Sequence, residues 1–247
     1  MYNFGAINNE VVREGYIETT TGLEYQKFYE NSKNINSIRY LNYRNNNYFD
    51  VSGNLTQSSH FFNSALFFKD LSAIYYVFNY DYVALRYGFD PLGNGNSLMP
   101  GKYKFGILKI GYNSANNQKF RYRFNVQKGN YYGGNRTAAG AYLNYQLLPF
   151  ANLTLSYDVN EIDLNAVGKE TFHLSRFTGE VFFNNTLNWT TYVQFNTQRD
   201  NFNVNTRLQW EYKPLSYVYL VFSDNLNQDF KRKNWGVAFK MNYRFDF

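Results

Sequence analysis

At 247 residues and without a cysteine, the chain has room for one large unit, and both a disulfide framework and a thiolate metal site are excluded. Aromatics reach 21%, with 25 Tyr and 24 Phe, yet hydrophobic residues total only 44%, and no run approaches the ~20 consecutive apolar residues of a spanning helix. The net charge is +6, but the basic residues are scattered singly along the strands, which argues against a nucleic-acid surface.

A period of two dominates the sequence and predicts about thirteen strands, with no competing helical period. In chain order they fall at 15–29, 34–45, 48–69, 71–88, 101–113, 118–129, 136–148, 151–161, 171–184, 187–199, 203–213, 216–225 and 233–247. In the sixth, Phe120, Tyr122, Phe124 and Val126 alternate with Lys119, Arg121, Arg123, Asn125 and Gln127. In the tenth, Leu187, Trp189, Val193 and Phe195 oppose Asn188, Thr190, Gln194 and Asn196. The eleventh sets Val204, Thr206, Leu208, Trp210 and Tyr212 against Asn203, Asn205, Arg207, Gln209 and Glu211. The last alternates from Trp235 to the terminal Phe247.

The connections are expected to alternate in length. Ser114–Asn117, Leu148–Ala151, Asn184–Thr186 and Lys213–Ser216 read as tight turns, whereas Gly88–Gly101, Gly129–Asn135, Asn160–Glu170 and Asp224–Lys233 read as longer loops. Short turns on one side and long loops on the other, with one greasy face per strand, predict an all-β, antiparallel transmembrane barrel of the bacterial outer membrane, roughly 12–14 strands forming a single domain over 1–247. A soluble sandwich favours Val, Ile and Leu on its buried face, but Tyr, Phe and Trp crowd this one. Trp189, Trp210 and Trp235 fall near strand ends, the height of an aromatic girdle.

The other face would line the lumen, with Arg121, Arg123, Arg176, Glu180, Arg207, Glu211, Lys240, Arg244 and Asp246. Arg176/Glu180 beside Arg207/Glu211 predicts ion pairs between strands, and an electropositive constriction favouring anions is the sharper alternative. Partners follow from the class: the outer-membrane bilayer, a barrel-assembly machinery engaging the strand that ends at Phe247, and a polar solute or carbohydrate, with no nucleic acid.

No constellation of catalytic residues is visible, and no cofactor is implied. His60, after Ser58-Ser59, lacks a triad by sequence, and His173 reads as an interfacial residue. Asp158, Glu161 and Asp163 precede an expected loop, the usual setting of solvated acids. The stretch Asp90–Asn96 holds turn-forming Gly and Asn but opens no helix, so a phosphate cradle is not expected. The N-terminus, Met1–Gly5, has neither a basic nor an apolar signal region. With an odd strand count, the first and last strands would run parallel, so the expectation is a further strand within residues 2–12 or strands upstream of Met1.

Several runs together resemble one family. They are Met99-Pro100-Gly101-Lys102-Tyr103, Gly129–Arg136, Thr191–Asn196, Asn205–Pro214 and Leu220–Asn225. From about Met99 onward the chain resembles the C-terminal barrel region of the DUF5916 family, common in Bacteroidetes, whose members typically carry a domain resembling carbohydrate-binding module family 9 ahead of the barrel. The resemblance implies a membrane barrel, favours strands upstream of Met1 over one within residues 2–12, carries over no functional residue, and adds an anchor for a carbohydrate- or partner-binding module to the class expectation of a pore or uptake barrel for small polar solutes or sugars. Some members are labelled hydrolases, which no residue here supports.

Overall fold

The fold is taken from a computed structural model, which describes residues 15–165 and 167–245. These residues form thirteen strands and no helix: β1 (Tyr16–Phe28), β2 (Ile35–Asp50), β3 (Leu55–Phe68), β4 (Ala73–Leu85), β5 (Gly101–Asn113), β6 (Phe120–Tyr131), β7 (Gly134–Leu147), β8 (Ala151–Leu164), β9 (Gly168–Phe182), β10 (Leu187–Asn196), β11 (Asn201–Lys213), β12 (Ser216–Leu226) and β13 (Arg232–Asn242). They make one antiparallel sheet in chain order. Among the described residues β1 pairs with β2 alone and β13 with β12 alone, so the hydrogen-bond ladder is open at both ends and not closed into a ring. The candidate strand at 2–12, Asp246 and Phe247 lie outside the described residues.

The chain clusters into two compact units, one of residues 15–117, 123–139 and 159–171, the other of 118–122, 140–158 and 172–245. In the first, pairing aligns the apolar alternation of successive strands: Leu23 faces Tyr43, Tyr43 faces Phe62, Phe62 faces Phe78, and Phe78 faces Leu108. One step along, Tyr76, Ile110 and Val126 form the parallel row. Paired residues in a ladder point to the same side, so these rows make one apolar face. That face is open: Leu108, Ile110 and Val126 are 43%, 48% and 59% exposed. The second unit repeats the design, with Val181, Trp189, Leu208, Leu220 and Phe239 in one row and Leu187, Trp210, Val218 and Met241 in the next.

The buried apolar residues lie elsewhere. In the first unit Val83, Leu85, Phe105 and Ile107 sit on the opposite, polar face and are buried, as are Leu92 and Leu98 of the 86–100 connection. That segment is the one long connection among the described residues, and Phe89 and Leu98 bridge within it.

The expected long loops at 129–135 and 160–170 are short, because the flanking strands run further. Tyr132 and Gly133 alone join β6 to β7, both at positive φ (44° and 83°), the two-residue turn whose twist matches the flanking strands. The break expected at Asn46-Asn47 is also corrected. These residues stay in β2, and the turn falls at 51–54, where Asp50 Oδ1 accepts the N–H groups of Ser52 (3.0 Å) and Asn54 (2.9 Å) and Gly53 takes a φ of 81°.

Gly129 marks a close approach of two backbones. A Cβ there would overlap Gly106 O and crowd Ile107 Cα on β5. Gly129→Ala is therefore expected to destabilise the folded protein by about 1–3 kcal/mol, read as a lowered midpoint of urea unfolding.

Candidate functional site

The polar faces carry the chemistry. In the second unit a chain of side-chain hydrogen bonds crosses β6 to β9. Arg121 donates to Asn144 Oδ1 from Nε (3.0 Å) and Nη2 (2.6 Å), Asn144 donates to Asn152 Oδ1 and Thr154 Oγ1 (2.8 Å each), and Asn152 donates to Glu180 Oε2 (2.8 Å). Asn144 is 2% exposed, so its amide depends on these partners. Beside it Arg176 Nη2 reaches Asp158 Oδ2 at 3.0 Å. Further along, Asn203 donates to Asn225, which donates to Asn234 at 2.6 Å, an amide ladder over β11–β13.

The first unit has its own network. Arg39 Nε pairs with Glu24 Oε1 at 2.8 Å and its Nη1 donates to Asn63 Oδ1 at 3.1 Å, while Asn42 donates to Glu24 Oε2 at 3.2 Å. Arg136 Nε donates to Asn160 Oδ1 at 2.8 Å.

The predicted lining residues keep to the polar alternation. Arg123 pairs with Asn113, Glu180 with Thr190, Arg207 with Thr190 and Val221, Glu211 with Tyr217, and Lys240 with Tyr219. Arg244 follows β13, its backbone N–H donating to Ser216 Oγ at 3.0 Å. The expected ion pairing of Arg176/Glu180 with Arg207/Glu211 does not form. Arg176 is held by Asp158, Glu180 by Asn152, and Glu211 Oε1 accepts Leu215 N–H at 2.9 Å. Register explains this, since Thr190 stands between Glu180 and Arg207 and leaves them two strand spacings, ~9.6 Å, apart.

The 86–100 segment docks within the first unit. Asn94 and Asn96 donate to Val167 O at 3.2 and 3.4 Å, and the Phe89 ring meets Tyr132 edge-on at 6.0 Å. Its own carboxylate knots it: Asp90 Oδ1 accepts the N–H groups of Leu92 (3.0 Å) and Gly93 (2.7 Å), and Oδ2 accepts that of Gly95 (2.8 Å). The backbone donors that would hold a phosphate already hold Asp90.

No nucleophile–base–acid array assembles among the described residues. Ser58 Oγ is 3.3 Å from His60 Nε2 but donates to Asn47 Oδ1 at 2.6 Å, and His60 Nδ1 bonds the Tyr43 hydroxyl at 2.9 Å where a triad needs a carboxylate. His173 stacks on Tyr157 and bonds its hydroxyl at 2.8 Å. Asp158 and Glu161 are taken by Arg176 and Lys169 respectively, and no metal-binding cluster occurs among the described residues. The pairings of Asn144, Asn152, Arg39 and Arg136 were missed at the level of sequence; their only signal there is a polar residue on the polar alternation.

The chain matches no family model and no curated protein.

Two outcomes are expected. Asn144→Ala strips acceptors from Arg121 and should cost about 1–3 kcal/mol of unfolding free energy, while Asn203→Ala, at a half-buried site, should cost less. At Asp90 burial raises the carboxyl, but the N–H groups of Gly95, Gly93, Leu92 and Asn94 outweigh it and hold it below the ordinary aspartate value. A carboxyl lowered by folding adds stability above its unfolded pKa and loses it as pH falls through the folded one. Amide exchange at Gly93 and Gly95 should thus be slow at neutral pH and speed up only below about pH 4, whereas in Asp90→Asn it should be fast throughout.

Proposed function

We propose that this protein is a transmembrane β-barrel of a bacterial outer membrane whose polar face gives passage to small polar solutes, sugars among them. One observation carries the reading: in each unit the large exposed apolar side chains fall in register on a single face, strand after strand. Soluble monomers rarely expose a contiguous apolar patch beyond a few hundred Å². In lipid the same face is solvated by acyl chains, and Arg or Lys at mid-membrane would cost ~2–4 kcal/mol each; the lining residues named below stand on the other side, and the cations that β1–β6 do carry on the apolar face, Lys27, Lys102, Lys104 and Lys128, stand within four residues of a strand end. Arg121, Arg123, Arg176, Glu180, Arg207, Glu211, Lys240 and Arg244 then line the interior, and the amides between them offer donors and acceptors to a neutral polyhydroxylated solute.

The resemblance to the DUF5916 barrels of Bacteroidetes supports the same placement, with assembly through the strand leading to Phe247. It also supports a second reading, an outer-membrane anchor for a carbohydrate- or partner-binding module. That reading draws on the polar networks, whose side chains are held by each other.

Refolded protein in phosphatidylcholine vesicles should be strand-dominated by circular dichroism and migrate differently on a gel before and after boiling. Inserted protein should then carry a steady current in a planar bilayer. Silence from protein shown to be inserted would discard the pore in favour of the anchor, and a monomer soluble without detergent would discard both.

A further inference from the structure

We infer that the apolar face of β1–β6 holds anionic lipid, with negative headgroups along Lys102, Lys104 and Lys128, a band about 20 Å long on β5 and β6; the inference rests on the membrane reading of that face. Register assigns side chains there unambiguously. Tyr82 pairs with Lys104, Ala84 with Lys102 and Leu108 with Lys128, so the three ammonium groups stand on the same side as Phe78, Leu108, Ile110 and Val126. All three are exposed, and none has a hydrogen bond or ion pair among the described residues.

The charge on this face has one sign. Glu18, Glu24 and Asp81 belong to the opposite alternation, facing Tyr48, Asn42 and Ser59. The fourth cation of the apolar face, Lys27, lies at the other end of β1, over the Tyr29 ring at 5.3 Å. A band of lysines beside an acid-free apolar surface is complementary to an amphiphile with an anionic head. Its chains would lie along Tyr76, Phe78, Leu108, Ile110 and Val126. Tyr80 and Tyr82, one strand over, place amphipathic rings at the level where apolar surface gives way to charge. Lysine stems of four methylenes let the ammonium groups rise to a headgroup while the stems stay in apolar surroundings. Lys169, by contrast, is paired with Glu161 at 3.2 Å and is left out of the band.

The test uses the full chain refolded in a neutral detergent and titrated with phosphatidylglycerol or phosphatidylcholine, bound lipid being counted by native mass spectrometry. Wild type should take phosphatidylglycerol at least tenfold more tightly than phosphatidylcholine, since each lysine near an anionic headgroup is worth about fivefold. The variant K102Q/K104Q/K128Q should lose that preference, and Lys27→Gln should keep it. Equal preference in wild type and the triple variant overturns the site. So does displacement of the lipid by inorganic phosphate at the same concentration, which would mean a simple ion site. Insertion into pure phosphatidylcholine vesicles, read by the gel shift on boiling, separates the two failures: protein that inserts but shows no preference refutes the lipid site alone, and protein that never inserts refutes the membrane reading and the site with it.

Discussion

Everything in this fold depends on keeping a two-residue period in phase across paired strands. A slip of one residue would send every side chain of a strand to the wrong face. The sequence is not perfectly periodic, and the structure shows where the phase is corrected. Tyr40 and Leu41 put two large residues in succession; β1 and β2 meet this with a register shift, so that Leu41 faces Tyr25 and Arg39 faces Gln26 while Tyr40 is the extra residue. Thr56 does the same in β3, between the pairs Tyr48–Gln57 and Phe49–Leu55, and its hydroxyl donates to Tyr48 O at 3.0 Å. Each bulge absorbs one residue, and the apolar rows beyond it stay aligned.

The same register decides how the polar faces are satisfied. Charges that seem matched along the sequence are separated by whole strands, so their partners are the groups standing directly opposite or diagonally across one ladder. Those groups are mostly amides and hydroxyls. Asn144 serves an arginine on one side and Asn152 and Thr154 on the other, which a carboxylate, having acceptors only, could not do. Asparagine is a poor strand former by propensity, but here it links strands laterally, and that tertiary role outweighs its turn preference. Asn45 and Asn47 show the same override, bonded to Ser58 and each other inside β2 and β3.

This explains how far the sequence could be read. Strand number, order and faces were legible, because alternation over ten or more residues leaves little choice of secondary structure. Strand ends were not. Asn45-Asn46-Asn47 and the Gly/Asn-rich 129–135 have the composition of loops, and only lateral bonds in one case and positive φ at Tyr132-Gly133 in the other keep them in or beside strands. The docking of 86–100 was hidden for a similar reason. Leu92 and Leu98 are isolated apolar residues in a polar stretch, and nothing local says that both become buried. Polar pairings were the least legible feature, since each depends on a register that sequence periodicity leaves free by two residues.

The two edges bring the same reasoning to the membrane. The thirteen strands of the described residues, antiparallel in chain order, leave β1 and β13 running in the same sense. A direct antiparallel bond between them is impossible, and no such pairing occurs among the described residues. In water an open edge is tolerable, since solvent meets the free N–H and C=O groups. In hydrocarbon each such group costs several kcal/mol, far more than the exposed Trp235, Val237, Phe239 and Met241 of β13 could return by entering lipid. An antiparallel ring built on this sheet therefore needs an odd number of further strands between β13 and β1. The membrane reading stands or falls with that requirement, because the side chains of β13 favour the lipid while its unpaired backbone edge forbids entering it alone.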